Sequence, residues 1–296
     1  MQPTIICFGE TLFDVLPDGA VPGGAPMNVA IHLSYYGHSP VVISRVGKDA
    51  AGAELIDFLQ QKGIATTYIQ QDETYQTGIV EADVSNSTHV VYTIVEPVAW
   101  DYIKYDEALA QVVEKSNVFI YGSLASRNST TRNTLLRYLP KASLKVFDVN
   151  LRSPHYSAAE IKELLTFADI IKMNHHELAE IAGWYGVASD EKATMEYIRN
   201  LLNIPLILIT RGENGASCLT KDGYSEHPGF KVTVKDTIGS GDAFLAAFLH
   251  QYMHGKTPAE ALPSACAAGA YVATQRGATP RVPDGFVEEL LKPLNS

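Results

Sequence analysis

Cysteine is scarce in this chain: Cys7, Cys218 and Cys266 lie far apart, each among apolar residues. No C-x-x-C spacing occurs, so neither a thiolate zinc site nor a disulfide framework is expected. The three read as buried, reduced thiols of an intracellular protein. Long hydrophobic runs are missing too. No stretch reaches the ~18 apolar residues of a membrane span, and Glu10 and Asp14 interrupt the N-terminal apolar residues that a secretory leader would need. A soluble, cytoplasmic protein with no membrane partner is expected. Positive charge is also in short supply, with 23 Lys and Arg against 33 Asp and Glu, a net charge of −10. That balance argues against a nucleic-acid partner. It leaves phosphate ligands open, because amides and metal ions hold them locally.

Two nucleotide fingerprints fail. Gly255-Lys256-Thr257 has the ending of a P-loop, but His250 stands at the first glycine position and the stretch follows a helical pattern rather than a strand. Gly239 and Gly241 are followed by Phe244, so the dinucleotide glycine motif is not completed.

What is present is an alternation of short apolar runs with helical periods. Ile5 to Phe8, Val41 to Ser44, Val118 to Tyr121, Leu144 to Asp148, Ile170 to Met173 and Leu206 to Thr210 read as buried strands. Met27 to Tyr36 and Ala53 to Gln61 read as helices. This rhythm predicts an α/β fold, a doubly wound, mostly parallel sheet with helices on both faces. Ligands in such folds gather beyond the carboxyl ends of strands. A composition 46% hydrophobic and 19% charged supplies ample core. With no repeat, linker or low-complexity tract, residues 1–296 read as one domain. Thr77 to Asp83 and Thr88 to Val95 break the rhythm as a hairpin around Ser85-Asn86-Ser87. Together with Thr11 to Leu16 they predict a small β-sheet lid drawn from about residues 11–20 and 75–98.

The most informative stretch is Asp236-Thr237-Ile238-Gly239-Ser240-Gly241-Asp242-Ala243-Phe244. A polar, strand-like lead-in, Lys231 to Lys235, runs into glycines, and an apolar helical run follows from Ala243 to Tyr252. Glycines let the backbone turn sharply and aim successive N–H groups outward, and a helix start adds its positive dipole end. An anion site with Asp242 in its rim results. Amides for phosphate charge and a carboxylate for a hydroxyl proton are what phosphoryl transfer to an alcohol requires. A plain loop-to-helix turn with a capping aspartate is the alternative.

Further motifs fall into one order. They are Gly9-Glu10-Thr11-Leu12-Phe13-Asp14; Pro22-Gly23-Gly24-Ala25-Pro26-Met27-Asn28-Val29-Ala30; Val46-Gly47-Lys48-Asp49 with Gly52; Asn174 with Glu177; and Thr210-Arg211-Gly212 to Gly215. With the Asp236 to Asp242 stretch, these make the chain resemble the ribokinase-like (PfkB) carbohydrate kinases over essentially its whole length. The Pro22 to Ala30 stretch is closest to the fructokinase branch.

The resemblance implies ATP-dependent transfer of a γ-phosphoryl group to a sugar hydroxyl, with D-fructose favoured and 2-keto-3-deoxygluconate the runner-up. It casts Asp242 as general base, with the Gly239, Ser240 and Gly241 amides stabilising charge. Asp14, Gly23, Gly24 and Asn28 become sugar-binding residues, and Arg152 a substrate or loop residue. Asn174 and Glu177 support Mg²⁺, Glu177 through water, while Thr210, Gly212 and Gly215 serve the nucleotide. Asp236 joins a possible K⁺ site with backbone carbonyls near Gln275 to Arg281. Relatives often pair their lids between subunits, so a homodimer is implied. Each residue also has an ordinary reading: Asp14 as a turn aspartate, Asn28 at a helix start, and Asn174 with Glu177 as a helix cap.

Overall fold

The computed structural model describes residues 4–16, 19–83, 91–187 and 190–290, and groups the chain into two compact units. The first runs to Ser34 and again from His38 to Ser143. In it lie β1 (Ile5–Phe8), β2 (Leu12–Leu16), β3 (Gly19–Gly23), α1 (Ala25–Tyr35), β4 (Val41–Gly47), α2 (Ala50–Gln61), β5 (Ile69–Asp72), β6 (Gly78–Asp83), β7 (Val91–Ile94), α3 (Glu107–Glu114), β8 (Val118–Gly122) and α4 (Ser129–Tyr138). Four of these strands join the large sheet in the order β8-β1-β4-β5, all parallel. β1 and β8 are buried throughout, so they read as unbroken apolar runs.

The remaining four strands form a separate sheet, β3-β2-β6-β7. β2 runs antiparallel to β3 and parallel to β6, and β6 runs antiparallel to β7. This is the expected small sheet, with β3 as an added strand. The expected turn at Ser85-Asn86-Ser87 lies outside the described residues.

The root of this sheet is firmly built. Asp49 caps α2 through the Gly52 amide at 2.7 Å and also holds Thr77, the residue before β6. Trp100 is fully buried, and Gly78 meets its indole so closely that no Cβ would fit there. The Arg127 guanidinium lies 4.0 Å from the Trp100 ring and binds Asp101 at 2.7 and 2.8 Å and the Val95 carbonyl at 2.7 Å. Pairing and hydrogen bonding at once settle a guanidinium that burial would otherwise penalise.

The second unit comprises Tyr35–Gly37 and the chain from Leu144 onward. It contains β9 (Leu144–Asp148), α5 (Ala158–Leu165), β10 (Ile170–Asn174), α6 (His175–Trp184), α7 (Glu191–Leu202), β11 (Leu206–Thr210), β12 (Ala216–Thr220), β13 (Gly223–His227), α8 (Ser240–Met253), α9 (Pro258–Ala273) and α10 (Phe286–Leu290). Its five strands lie side by side in the order β13-β12-β11-β10-β9. β9, β10 and β11 are parallel, and β12 and β13 are antiparallel additions. The mostly parallel α/β reading therefore holds.

The strand-like lead-in at Lys231 to Lys235 does not: the segment is irregular. Its alternating valines have no face to bury, Val234 being 56% exposed. Its end is tied instead by the Lys235 and Asp236 amides to the Ala273 carbonyl.

Candidate active site

In the first unit, four of the expected sugar-binding residues, Asp14, Gly23, Gly24 and Asn28, lie where the small sheet leads into α1. Asp14 lies in the middle of β2, with Val21 of β3 as its cross-strand partner. Its carboxylate reaches over Gly23: a Cβ added there would stand 2.5 Å from Oδ2. Gly24 has φ +117°, and a Cβ would meet the Glu10 carbonyl at 2.5 Å, so only glycine carries the chain from β3 into α1 here. Asn28 is buried in the first turn of α1, and its amide donates to the Gly24 carbonyl at 2.9 Å. The glycine pair thus brings two short polar side chains, Asp14 and Asn28, onto one stretch of folded backbone.

The phosphoryl-transfer residues lie in the second unit. Gly239, with φ +78°, is the N-cap of α8 and packs so closely on the Ala278 backbone that no side chain fits. Asp236 braces the loop: Oδ1 accepts from the Ile238 amide at 3.0 Å and Oδ2 from the Gly277 amide at 3.1 Å. Asp242 sits buried in the first turn of α8, where the helix dipole favours an anion. The Ser240 amide donates to the Thr237 carbonyl at 3.2 Å, closing the loop's own turn. The Ser240 hydroxyl oxygen is buried with no partner.

Asn174 and Glu177 form a reciprocal cap on α6. Asn174 Oδ1 accepts from the His176 and Glu177 amides, and Glu177 Oε2 accepts from the Asn174 amide at 2.8 Å. Glu177 Oε1 accepts from the Leu151 amide at 2.9 Å, which ties the β9 loop to α6. Burial pushes the Glu177 carboxyl up, and these amides and Lys172 offset that only in part. Both Glu177 oxygens carry an amide yet keep a second lone pair. That donor set suits contact with Mg²⁺ through water rather than direct ligation. Asn150 adopts a left-handed φ of 39°, which asparagine tolerates. Arg152, two residues on, is exposed and bonds only the Leu151 carbonyl among the interactions described.

Thr210 ends β11, and the glycines after it shape the next turn. Gly212 has φ +59° and Gly215 φ +78°. Gly215 packs against Gly229 and the His227 carbonyl with no room for a Cβ, and its own carbonyl accepts from Arg211 at 2.8 Å.

One residue was missed by the sequence reading. Lys172 lies inside apolar β10, opposite Asp148 of β9. Its Nζ donates to Asp148 Oδ1 at 2.9 Å and Oδ2 at 3.1 Å. Burial alone would depress this ammonium; the charges of Asp148, Asp242 and Glu177 outweigh it, and the group titrates above the ordinary lysine range. The available signal was a lone lysine in a strand otherwise made of core residues.

Among the described residues no helix is long and apolar enough to cross a membrane. A buried carboxylate behind a left-handed glycine at a helix start, on a doubly wound α/β fold, is the arrangement of a group-transfer enzyme. The chain belongs to the pfkB family: the family's model, described as pfkB family carbohydrate kinase, matches residues 7–284. It is thus a phosphotransferase acting on a sugar. A relative named probable fructokinase-7 from Arabidopsis thaliana is 29% identical, the match covering 100% of this chain and 94% of the relative. The crystal structure of a fructokinase with bound ATP from Xylella fastidiosa superposes with a TM-score of 0.86, covering 98% of both chains at 23% identity. An uncharacterized sugar kinase from Pyrococcus horikoshii, 28% identical, gives 0.81 over 98% of this chain and 97% of its own.

Proposed function

We propose that this sugar kinase is a fructokinase that transfers the γ-phosphoryl group of ATP to a hydroxyl of D-fructose, with Asp242 as general base. The observation that carries the reading is the buried Asp242 carboxylate in the first turn of α8, behind the left-handed Gly239. Asp242 takes the proton as the sugar oxygen bonds to the γ-phosphorus, and the bond to the bridging oxygen breaks to leave ADP. The Gly239 and Gly241 amides serve developing negative charge, with the dipole behind them, while the Ser240 amide is taken by the Thr237 carbonyl. Asp14 and Asn28 hold sugar hydroxyls, and Thr210, Gly212 and Gly215 shape the nucleotide loop. Asn174 and Glu177 would hold Mg²⁺ through water, where it would supply positive charge to offset that of the phosphates. Asp236 and the carbonyls around Gly277 offer a place for K⁺.

The fructokinase relatives support fructose as acceptor; a terminal hydroxyl gives fructose 1-phosphate or 6-phosphate, and the resemblance to fructokinases favours the 6-phosphate. The lid closes over the sugar. Its exposed Val15 and Val21, on adjacent strands, suit pairing with a second copy as a homodimer. A coupled assay with ATP and fructose, 2-keto-3-deoxygluconate or ribose tests the reading. Fructose should give the highest kcat/KM. A tenfold advantage for the keto acid would overturn the fructose assignment and make Arg152 the carboxylate partner.

A further inference from the structure

Lys172 stands in a costly position. An ammonium in a buried parallel strand loses several kcal/mol of hydration, and only close carboxylates repay it. Asp148, with a side chain 5% exposed, provides one such partner in the neighbouring strand. The ammonium also reaches past that pair. A Cβ built on Gly241 would stand 2.9 Å from Nζ, so the charge lies directly against the second residue of α8. The positive end of a helix dipole repels a cation there. Asp148 is the anion bonded to it, and the charges of Asp242 and Glu177 also favour the ammonium. The ammonium and its Asp148 partner thus stand where the helix presents its first amides.

We propose that Lys172 is a positioning residue of the transfer site: pinned by Asp148 and seated against Gly241, it holds the Asp242 carboxylate and the start of α8 in the geometry of transfer. This rests on the assignment of Asp242 as base. Two features give the role its logic. Asp148 fixes Nζ through both oxygens, so the ammonium has one place to be. Gly241 leaves that place open, since any side chain at 241 would press on it. A lysine needed only to pair Asp148 would, on replacement, cost stability by leaving a buried carboxylate unpaired, without a specific loss of turnover in the folded enzyme.

The test compares Lys172→Met, Lys172→Arg and Asp242→Asn by steady-state kinetics with fructose and ATP, with folding checked by circular dichroism. Lys172→Met should lower kcat by about 10²-fold, the usual scale of one preorganised electrostatic group. KM for both substrates should stay within about threefold, and Lys172→Arg should recover about a tenth of the lost rate or more. A Lys172→Met enzyme with unchanged kcat, beside an inactive Asp242→Asn, would overturn the positioning role and leave the base assignment standing. A rise in the KM for ATP alone would equally overturn it, making Lys172 a ground-state nucleotide contact. Full turnover by Asp242→Asn would remove both readings. Should Lys172→Met not fold, Gly241→Ala displaces the ammonium from outside the strand. It should lower kcat at least tenfold when Lys172 is present and far less beside Lys172→Gln; equal losses in both backgrounds would refute the coupling.

Discussion

Thr77 is bound to Asp49 twice: its amide donates to Oδ2 at 2.8 Å and its hydroxyl to Oδ1 at 2.6 Å. The same hydroxyl accepts from the Gly47 amide at 3.0 Å. One aspartate therefore ties the start of α2, the end of β4 and the entry to lid strand β6. The Val46 to Gly52 motif thereby anchors the small sheet.

Asp49→Ala should cost about 1 kcal/mol, the scale of a lost helix cap. Because the bond also steers β6, KM for the sugar should rise several-fold while KM for ATP stays near the parent value. Thermal unfolding and two-substrate kinetics on one preparation check both halves.

Gly23→Ala should act on Asp14 alone. Its methyl would come within 2.5 Å of Oδ2, and no left-handed φ is involved, so the backbone accepts alanine. Sugar kcat/KM should fall at least tenfold with little change in ATP affinity. Calorimetric titration with a non-hydrolysable ATP analogue and with fructose separates the two.

Acid should unfold the first unit along a defined route. Burial pushes the Asp72 carboxyl up, but the Tyr75 and Thr74 amides and Arg45, 2.6 Å away, bring it below the ordinary 3.8. Asp49 moves the same way, burial being outweighed by Thr77 and Gly52. Groups with folded values below their unfolded ones contribute stability that is complete above the unfolded value. That stability is lost as pH falls through the folded one. Stability should therefore drop below pH 3.8. Asp72→Asn should be less stable at pH 7 by about 1–3 kcal/mol and show a flatter acid limb in urea titrations.

Glu177→Gln keeps the side chain's shape but can accept from only one of the Asn174 and Leu151 amides, setting its own NH2 against the other. The expected result is a modest fall in melting temperature with a larger rise in the Mg²⁺ concentration for half-maximal rate. Equal activity at low Mg²⁺ would assign Glu177 to capping alone.

The sequence was most legible where burial was complete. β1 and β8 lie on the apolar runs Ile5 to Phe8 and Val118 to Tyr121, because a strand covered on both faces needs no alternation. The glycine loop was legible as well, since Gly239 and Gly24 hold conformations that L side chains rarely adopt. Long-range pairing was not legible. β3, Gly-Ala-Val-Pro-Gly, carries no strand signal of its own and is ordered by its register with β2. Lys231 to Lys235 has the opposite defect, an alternating pattern without a partner to bury it. Lys172 was hidden because hydrophobic periodicity treats a charge in a core strand as noise, and only the facing strand reveals Asp148.

Trp100 gives the molecule an optical window. The chain has two tryptophans, and this one lies sealed at the lid root, between the bare Cα of Gly78 and the Arg127 guanidinium. Trp184 stands in the other unit near Tyr156, 6.1 Å between ring centres. In a Trp184→Phe background, indole emission would come from the lid root alone. Stopped-flow traces with and without sugar would then follow any change at the root of the small sheet independently of turnover, without an attached dye.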